Sequence, residues 1–257
     1  MRFTKILTTM GASVMMAVSV PLSAMAASTV LVTPSNNQGW SEAYTTSGGT
    51  VSYVADADAP AGAGALRLTT DSTNAAKAQY MHATSTPLES VTELSYYTKQ
   101  VSSPFAEAAA SYQLPTYLNG GTAGFTTLVF EPYQNTNQGP VVAGEWQQWD
   151  VDQGLFWSSK TIVCENGTIT GTAGGPATYT LADIMTKCPE ADVAGFGVNI
   201  GSYNPSYNVL TDMVNFNGTT YNFESTKDAC KKDEWKGFSF PFFKNQGDCV
   251  SHVNNGK

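Results

Sequence analysis

The chain has 257 residues, with 13 Lys and Arg against 21 Asp and Glu. Residues 27–224 hold five basic and 17 acidic side chains, whereas residues 225–257 hold six basic and four acidic. The acidic main stretch argues against nucleic acid and anionic lipid as partners, since both need clustered Lys and Arg. It is compatible with neutral ligands and with a hard cation such as calcium.

From the N-terminus, Arg2 and Lys5 precede an apolar run over residues 6–20, and Ala24-Met25-Ala26 follows Pro21. A basic start, a short apolar segment and a small-x-small cut site predict a secretory signal peptide over 1–26. The run is shorter than the roughly 20 residues that a membrane-spanning helix needs. The expected protein is therefore secreted, extracellular or on the cell surface, with no membrane span after cleavage.

Turn signals then punctuate the chain. Ser47-Gly48-Gly49 precedes a strand candidate at 50–54, and Gly62-Ala63-Gly64 precedes one at 65–69. Further candidates lie at 76–83, 91–99 and 111–118, where Pro115 pushes its strand toward an edge or a bulge. Others fall at 125–131, 146–151 and 194–200, the first of these apolar on both faces. One short helix is predicted after the capping box Thr180-Leu181-Ala182-Asp183. Asn217-Gly218 is the strongest hairpin signal, because a type I′ turn needs positive φ at both central positions. It sets Val214 against Tyr221 and Asp212 against Phe223, with Val214, Phe216, Tyr221, Phe223 and Asp212 on one face. About ten strands and little helix make an all-β fold, an antiparallel β-sandwich or jelly roll.

The charge sign changes near residue 225, which divides a 27–224 sandwich domain from a small 225–257 tail. Segments 226–235 and 245–254 of the tail read as short helices or turns. Four cysteines in an exported chain suggest disulfides, with three possible pairings. The boundary makes Cys164–Cys188 and Cys230–Cys249 the simplest. Each would close a loop of about 20 residues, worth roughly 3 kcal/mol. Zinc is disfavoured: no C-x-x-C pair exists, and His82 and His252 are the only histidines.

On Gly39-Trp40-Ser41-Glu42, Gly144-Glu145-Trp146 and Asp212-Met213-Val214, the main stretch resembles the jelly-roll β-sandwiches common among carbohydrate-binding modules. The ending at 217–224 and the tail at 243–250 are similar to uncharacterised secreted bacterial proteins. The resemblance implies a structural calcium ion held by acidic residues of early and closing strands plus backbone carbonyls. By position these are Glu42 and Asp212. The competing reading has Asp212 capping a turn and Glu42 in solvent.

On a strand at 146–151, Trp149 and Val151 share one face, while Trp146, Gln148 and Asp150 share the other. An indole beside an amide and a carboxylate suits sugars, whose C–H face stacks on rings and whose hydroxyls take polar groups. Alternatively, Trp146 packs under a loop. Tyr97, sharing a face with Glu93, Ser95 and Lys99, is a second candidate. Trp157, Tyr203 and Tyr207 read as loop aromatics. No catalytic set is singled out. The expected function is a non-catalytic binding module for carbohydrate or a cell-surface polymer. The alternatives are a structural or adhesive surface protein and a small jelly-roll glycosidase or lyase.

Overall fold

Period-two alternation governs the described residues of this computed structural model, which are 28–225, 227–231, 233–238 and 240–255. The expected signal peptide at 1–26 lies outside them. In chain order the first strands are β1 Ser28–Val32, β2 Trp40–Ser41, β3 Gly49–Ala55, β4 Gly64–Thr70 and β5 Ala78–Pro87. Next come β6 Leu94–Ser102, β7 Ser111–Tyr117, β8 Phe125–Phe130, β9 Trp146–Asp150 and β10 Phe156–Ser158. The last are β11 Ile162–Cys164, β12 Gly167–Ile169, β13 Asp192–Ile200, β14 Asn208–Phe216 and β15 Thr219–Phe223. The α-helices are α1 Leu181–Lys187 and α2 Gln246–Asn255.

Two sheets enclose the core. One has the order β10-β8-β7-β13-β5-β2 and is antiparallel throughout. The other is organised around β14, which pairs β6 along one edge. Along its other edge β14 meets β4 through Asn208–Thr211 and β15 through Val214–Phe216. Strands β9, β3 and β1 extend this second sheet from β6, β4 and β15 respectively. The β1–β15 pair is parallel, a departure from the expected all-antiparallel order.

Side chains of both sheets meet in one apolar cluster that includes Leu66, Leu68, Tyr96, Tyr112, Trp149, Phe196 and Phe223. Trp40 is its hub. The indole is 1% exposed, stacks on Tyr80 at 5.4 Å and meets Phe196, Tyr221 and Phe223 edge-on at 5.1–5.5 Å. Such pairs add roughly 0.5–1.5 kcal/mol each beyond their buried area.

The Asn217-Gly218 hairpin forms in the expected register, Val214 to Tyr221 and Phe216 to Thr219. Both turn residues have positive φ, 53° and 84°. The expected face holds as far as Val214. Between Asp212 and Asn215 the pairing with β6 slips by one residue, and Met213 sits at φ 50°. That bulge reverses the alternation. Asp212 therefore shares the outward side of the sheet with Leu210 and Tyr97, not the core side with Val214. Pro115 likewise sits opposite a bulge in β13, and β7 is an interior strand.

Helix α1 opens on the expected capping box: Thr180 Oγ1 accepts from Asp183 N at 3.1 Å, and Asp183 returns the bond to Thr180 N at 3.0 Å. Both expected disulfides are present, Cys164–Cys188 and Cys230–Cys249. Strand β1 is apolar on both sides. Val30 and Val32 face the main core, while Leu31 joins a second cluster with Cys230, Phe238, Phe243, Cys249 and Val253. The tail thus packs on the side of β1 turned away from the sandwich. Phe240 donates to Thr29 O at 3.2 Å and accepts from Leu31 N at 2.8 Å.

Candidate functional site

The outward face of the second sheet gathers most of the candidate residues. Its central register row runs Ser52, Arg67, Leu210, Lys99, Trp146 across β3, β4, β14, β6 and β9. In the next rows Tyr97 lies opposite Gln148, and Ser95 opposite Asp150. Strand β9 places Trp146, Gln148 and Asp150 on this face and turns Trp149 inward. Trp149 is fully buried and donates from Nε1 to Thr98 Oγ1 at 2.7 Å. Val151 is fully buried too.

Polar contacts hold the face in one arrangement. Tyr97 donates its hydroxyl proton to Gln148 Oε1 at 2.9 Å. Lys99 Nζ pairs with Asp56 Oδ2 at 2.9 Å and stands 5.9 Å from the Trp146 ring centroid, within cation–π range. Arg67 Nε donates to Asn208 Oδ1 at 2.8 Å. Gln138 braces β9, donating to Asp150 O and accepting from Asp150 N, both at 2.8 Å. Gln147 spans the same edge by donating to Pro140 O and accepting from Val142 N. Trp146 is partly buried, and its Nε1 makes no hydrogen bond among the described residues. Beside it a groove of about 290 Å³ is lined by Val54, Asp56, Arg67, Lys99, Val101 and Leu210, among others.

Trp157 is not part of this face. It lies in β10 of the other sheet, opposite Val129, and donates its indole proton to Glu131 Oε2 at 2.7 Å. Its expected place in a loop is corrected, whereas Tyr207 does lie in the loop that leads into β14, although it is only 8% exposed. Tyr203 is a loop aromatic too, 78% exposed. Another cavity, about 310 Å³, lies beside Cys164–Cys188 and is lined by Leu118, Asn119, Val163, Glu165, Pro189 and Glu190. It has no aromatic ring in its wall, so it lacks the platform that sugar stacking needs.

Glu42 and Asp212 stand in different surroundings. Glu42 is exposed just beyond β2. Asp212 is fully buried; its Oδ1 accepts from Phe223 N at 2.9 Å, while Oδ2 makes no hydrogen bond among the described residues. Burial pushes its carboxyl well above the usual carboxylate range; the N–H groups of Phe223 and Met213 oppose this rise and the Glu224 charge adds to it. Glu224 is also fully buried and accepts from Ala63 N at 3.1 Å. Gly62, at φ 68°, passes so close to this carboxylate that a Cβ there would collide with it. Among the described residues, no three His, Cys, Asp or Glu side chains stand together as a ready metal cluster.

Sequence reasoning placed Trp146, Gln148, Asp150 and Tyr97 but overlooked Arg67, Asp56 and Leu210. A signal existed for Arg67. It alternates between Leu66 and Leu68, and it is the chain's one arginine besides Arg2.

No family model matches the chain, and no curated protein matches it. Solved carbohydrate-binding modules are among the structures similar to it. The family 11 module of the cellulosomal cellulase Lic26A-Cel5E of Clostridium thermocellum is 10% identical. It covers 69% of this chain and 86% of its own, with a TM-score of 0.41. A family 11 module from the same organism, in complex with a β-1,3-1,4-mixed-linked tetrasaccharide, is 10% identical over 73% and 91%, at 0.42. The CBM22-1 xylan-binding domain of Paenibacillus barcinonensis Xyn10C is 14% identical over 70% and 84%, at 0.34. At these scores the likenesses carry no argument about ligand or residues.

Proposed function

We propose that the chain is an exported carbohydrate-binding β-sandwich whose ligand lies across the outward face of the β14 sheet. The observation that carries this reading is the register of β6 against β9. It lays Trp146 beside Lys99 and Tyr97 beside Gln148, next to an open groove. A partly buried indole with hydrogen-bonding groups one strand away suits a pyranose ring and its hydroxyls. The two disulfides accord with an oxidising exterior.

The test is affinity electrophoresis of the full chain against a panel of soluble polysaccharides, including mixed-linkage β-glucan and xylan. Trp146→Ala is expected to weaken binding by about tenfold or more, the loss of one stacked ring. Tyr97→Ala weakens it less. A protein that binds nothing in the panel, or a Trp146→Ala variant that binds like the parent, would remove this reading.

Calcium is a separate proposal. Its support is the buried Oδ2 of Asp212, which lacks a hydrogen bond among the described residues. Asp212 and backbone carbonyls would supply the oxygens that the ion needs. A cation there would restore the ionised carboxylate. Thermal unfolding with and without chelator decides: a midpoint several degrees lower in chelator supports calcium, and an unchanged midpoint overturns it.

A further inference from the structure

Residues 28–224 contain five cations, Arg67, Lys77, Lys99, Lys160 and Lys187, in a strongly acidic stretch. Two of the five stand in the candidate groove, on either side of Leu210. They are not equivalent. Lys99 is already matched by Asp56, and both members of that pair are largely buried, with side chains 16% and 10% exposed. Arg67 makes one side-chain hydrogen bond, from Nε to the neutral Asn208 amide, and no ion pair among the described residues. Arg67 is a partly buried residue that lines the groove together with Val54 and Leu210, the latter 5% exposed.

A partly desolvated cation without a counter-charge costs free energy that an incoming anion recovers. A guanidinium offers two parallel N–H donors in a planar fork, which matches the two oxygens of a carboxylate. Arg67 and Trp146 lie three strand spacings apart in one register row, about 14 Å. That distance accommodates one sugar at the arginine and another on the indole. The surrounding charge sets a limit, because 17 acidic side chains share this stretch and would repel a densely charged polymer.

Resting on the carbohydrate reading above, we propose that the groove selects a neutral polysaccharide backbone bearing isolated carboxylate-substituted sugars. Arg67 pairs with the carboxylate, and Trp146 stacks on a neighbouring neutral ring.

The experiment is isothermal titration of the full chain with glucuronoxylan and with the same polymer after its carboxyl groups are reduced to alcohols. The parent polymer is expected to bind about tenfold tighter than the reduced one, the increment typical of a charge-assisted hydrogen bond pair. Arg67→Gln is expected to bind both polymers alike, and Arg67→Lys to keep only part of the preference. Polygalacturonate is expected to bind more weakly than glucuronoxylan. Equal binding of parent and reduced polymer by the native chain overturns this inference and leaves the carbohydrate reading standing. Tighter binding of polygalacturonate overturns the preference for isolated charge. If neither xylan binds and the neutral panel also fails, the carbohydrate reading falls and this inference with it.

Discussion

Trp40→Ala is expected to destabilise the sandwich by about 3–5 kcal/mol, the cost of emptying a large aromatic site in a packed core. Trp40 comes from a two-residue strand, yet its ring touches side chains from both sheets: Tyr80 and Phe196 on one, Tyr221 and Phe223 on the other. Removing it opens a void where the sheets meet, and five aromatic neighbours, His82 included, lose contacts at once. Chemical denaturation of the variant measures the effect. Tyr44→Ala is the control, since that ring is 78% exposed and its loss should change stability by no more than about 0.5 kcal/mol. A Trp40→Ala loss as small as the control's would show that the ring is not the hub.

Replacing Cys230 and Cys249 together by serine is expected to release the tail and leave the sandwich folded. The bridge spans a sequence separation of 19 residues and, in the chain-entropy model, contributes roughly 3 kcal/mol. The cluster it closes is small, with Leu31, Phe238, Phe243 and Val253 as its other buried members. Such a cluster cannot outweigh the ordering of about 30 residues without its staple. Limited proteolysis should therefore cut between 227 and 255 in the variant, while the main unfolding transition persists. By contrast, Cys164 and Cys188 both lie in the main cluster, and their removal should lower that main transition. If both double variants lower a single common transition equally, the expected division near 225 is wrong.

Local signals carried much of the architecture. The hairpin at 217–218, the capping box at 180–183 and both cysteine pairs were legible because each depends on residues close in sequence or on a charge boundary. The bulge at Met213 was not. An apolar residue between Asp212 and Val214 gives no local sign of a left-handed conformation. The slip arises because β14 must meet β6 on one edge and two different strands on the other. The same limit applies to the site. Period two put Tyr97 and Trp146 on the outward faces of their own strands, but only the pairing of β6 with β9 makes those faces one surface. Arg67 was readable as outward-facing and electrically unusual, yet its position two strands from Lys99 depends on topology. Trp157 was misplaced because its partner Glu131 sits 26 residues earlier, beyond any local window.

The amides of Gln138 and Gln147 have a consequence for assembly. Gln138 bonds both backbone groups of Asp150 on β9, the outermost strand beside the groove, and Gln147 of β9 ties the backbone of Pro140 and Val142 alongside it, where another chain would otherwise add a strand. At the far side of the same sheet, the backbone of Phe240 takes the corresponding groups of β1. Neither of these two margins is left as a bare template for strand-by-strand polymerisation. Copies of this protein held close together on a surface would therefore remain separate units at these margins, each keeping its own groove open to the polymer beside it.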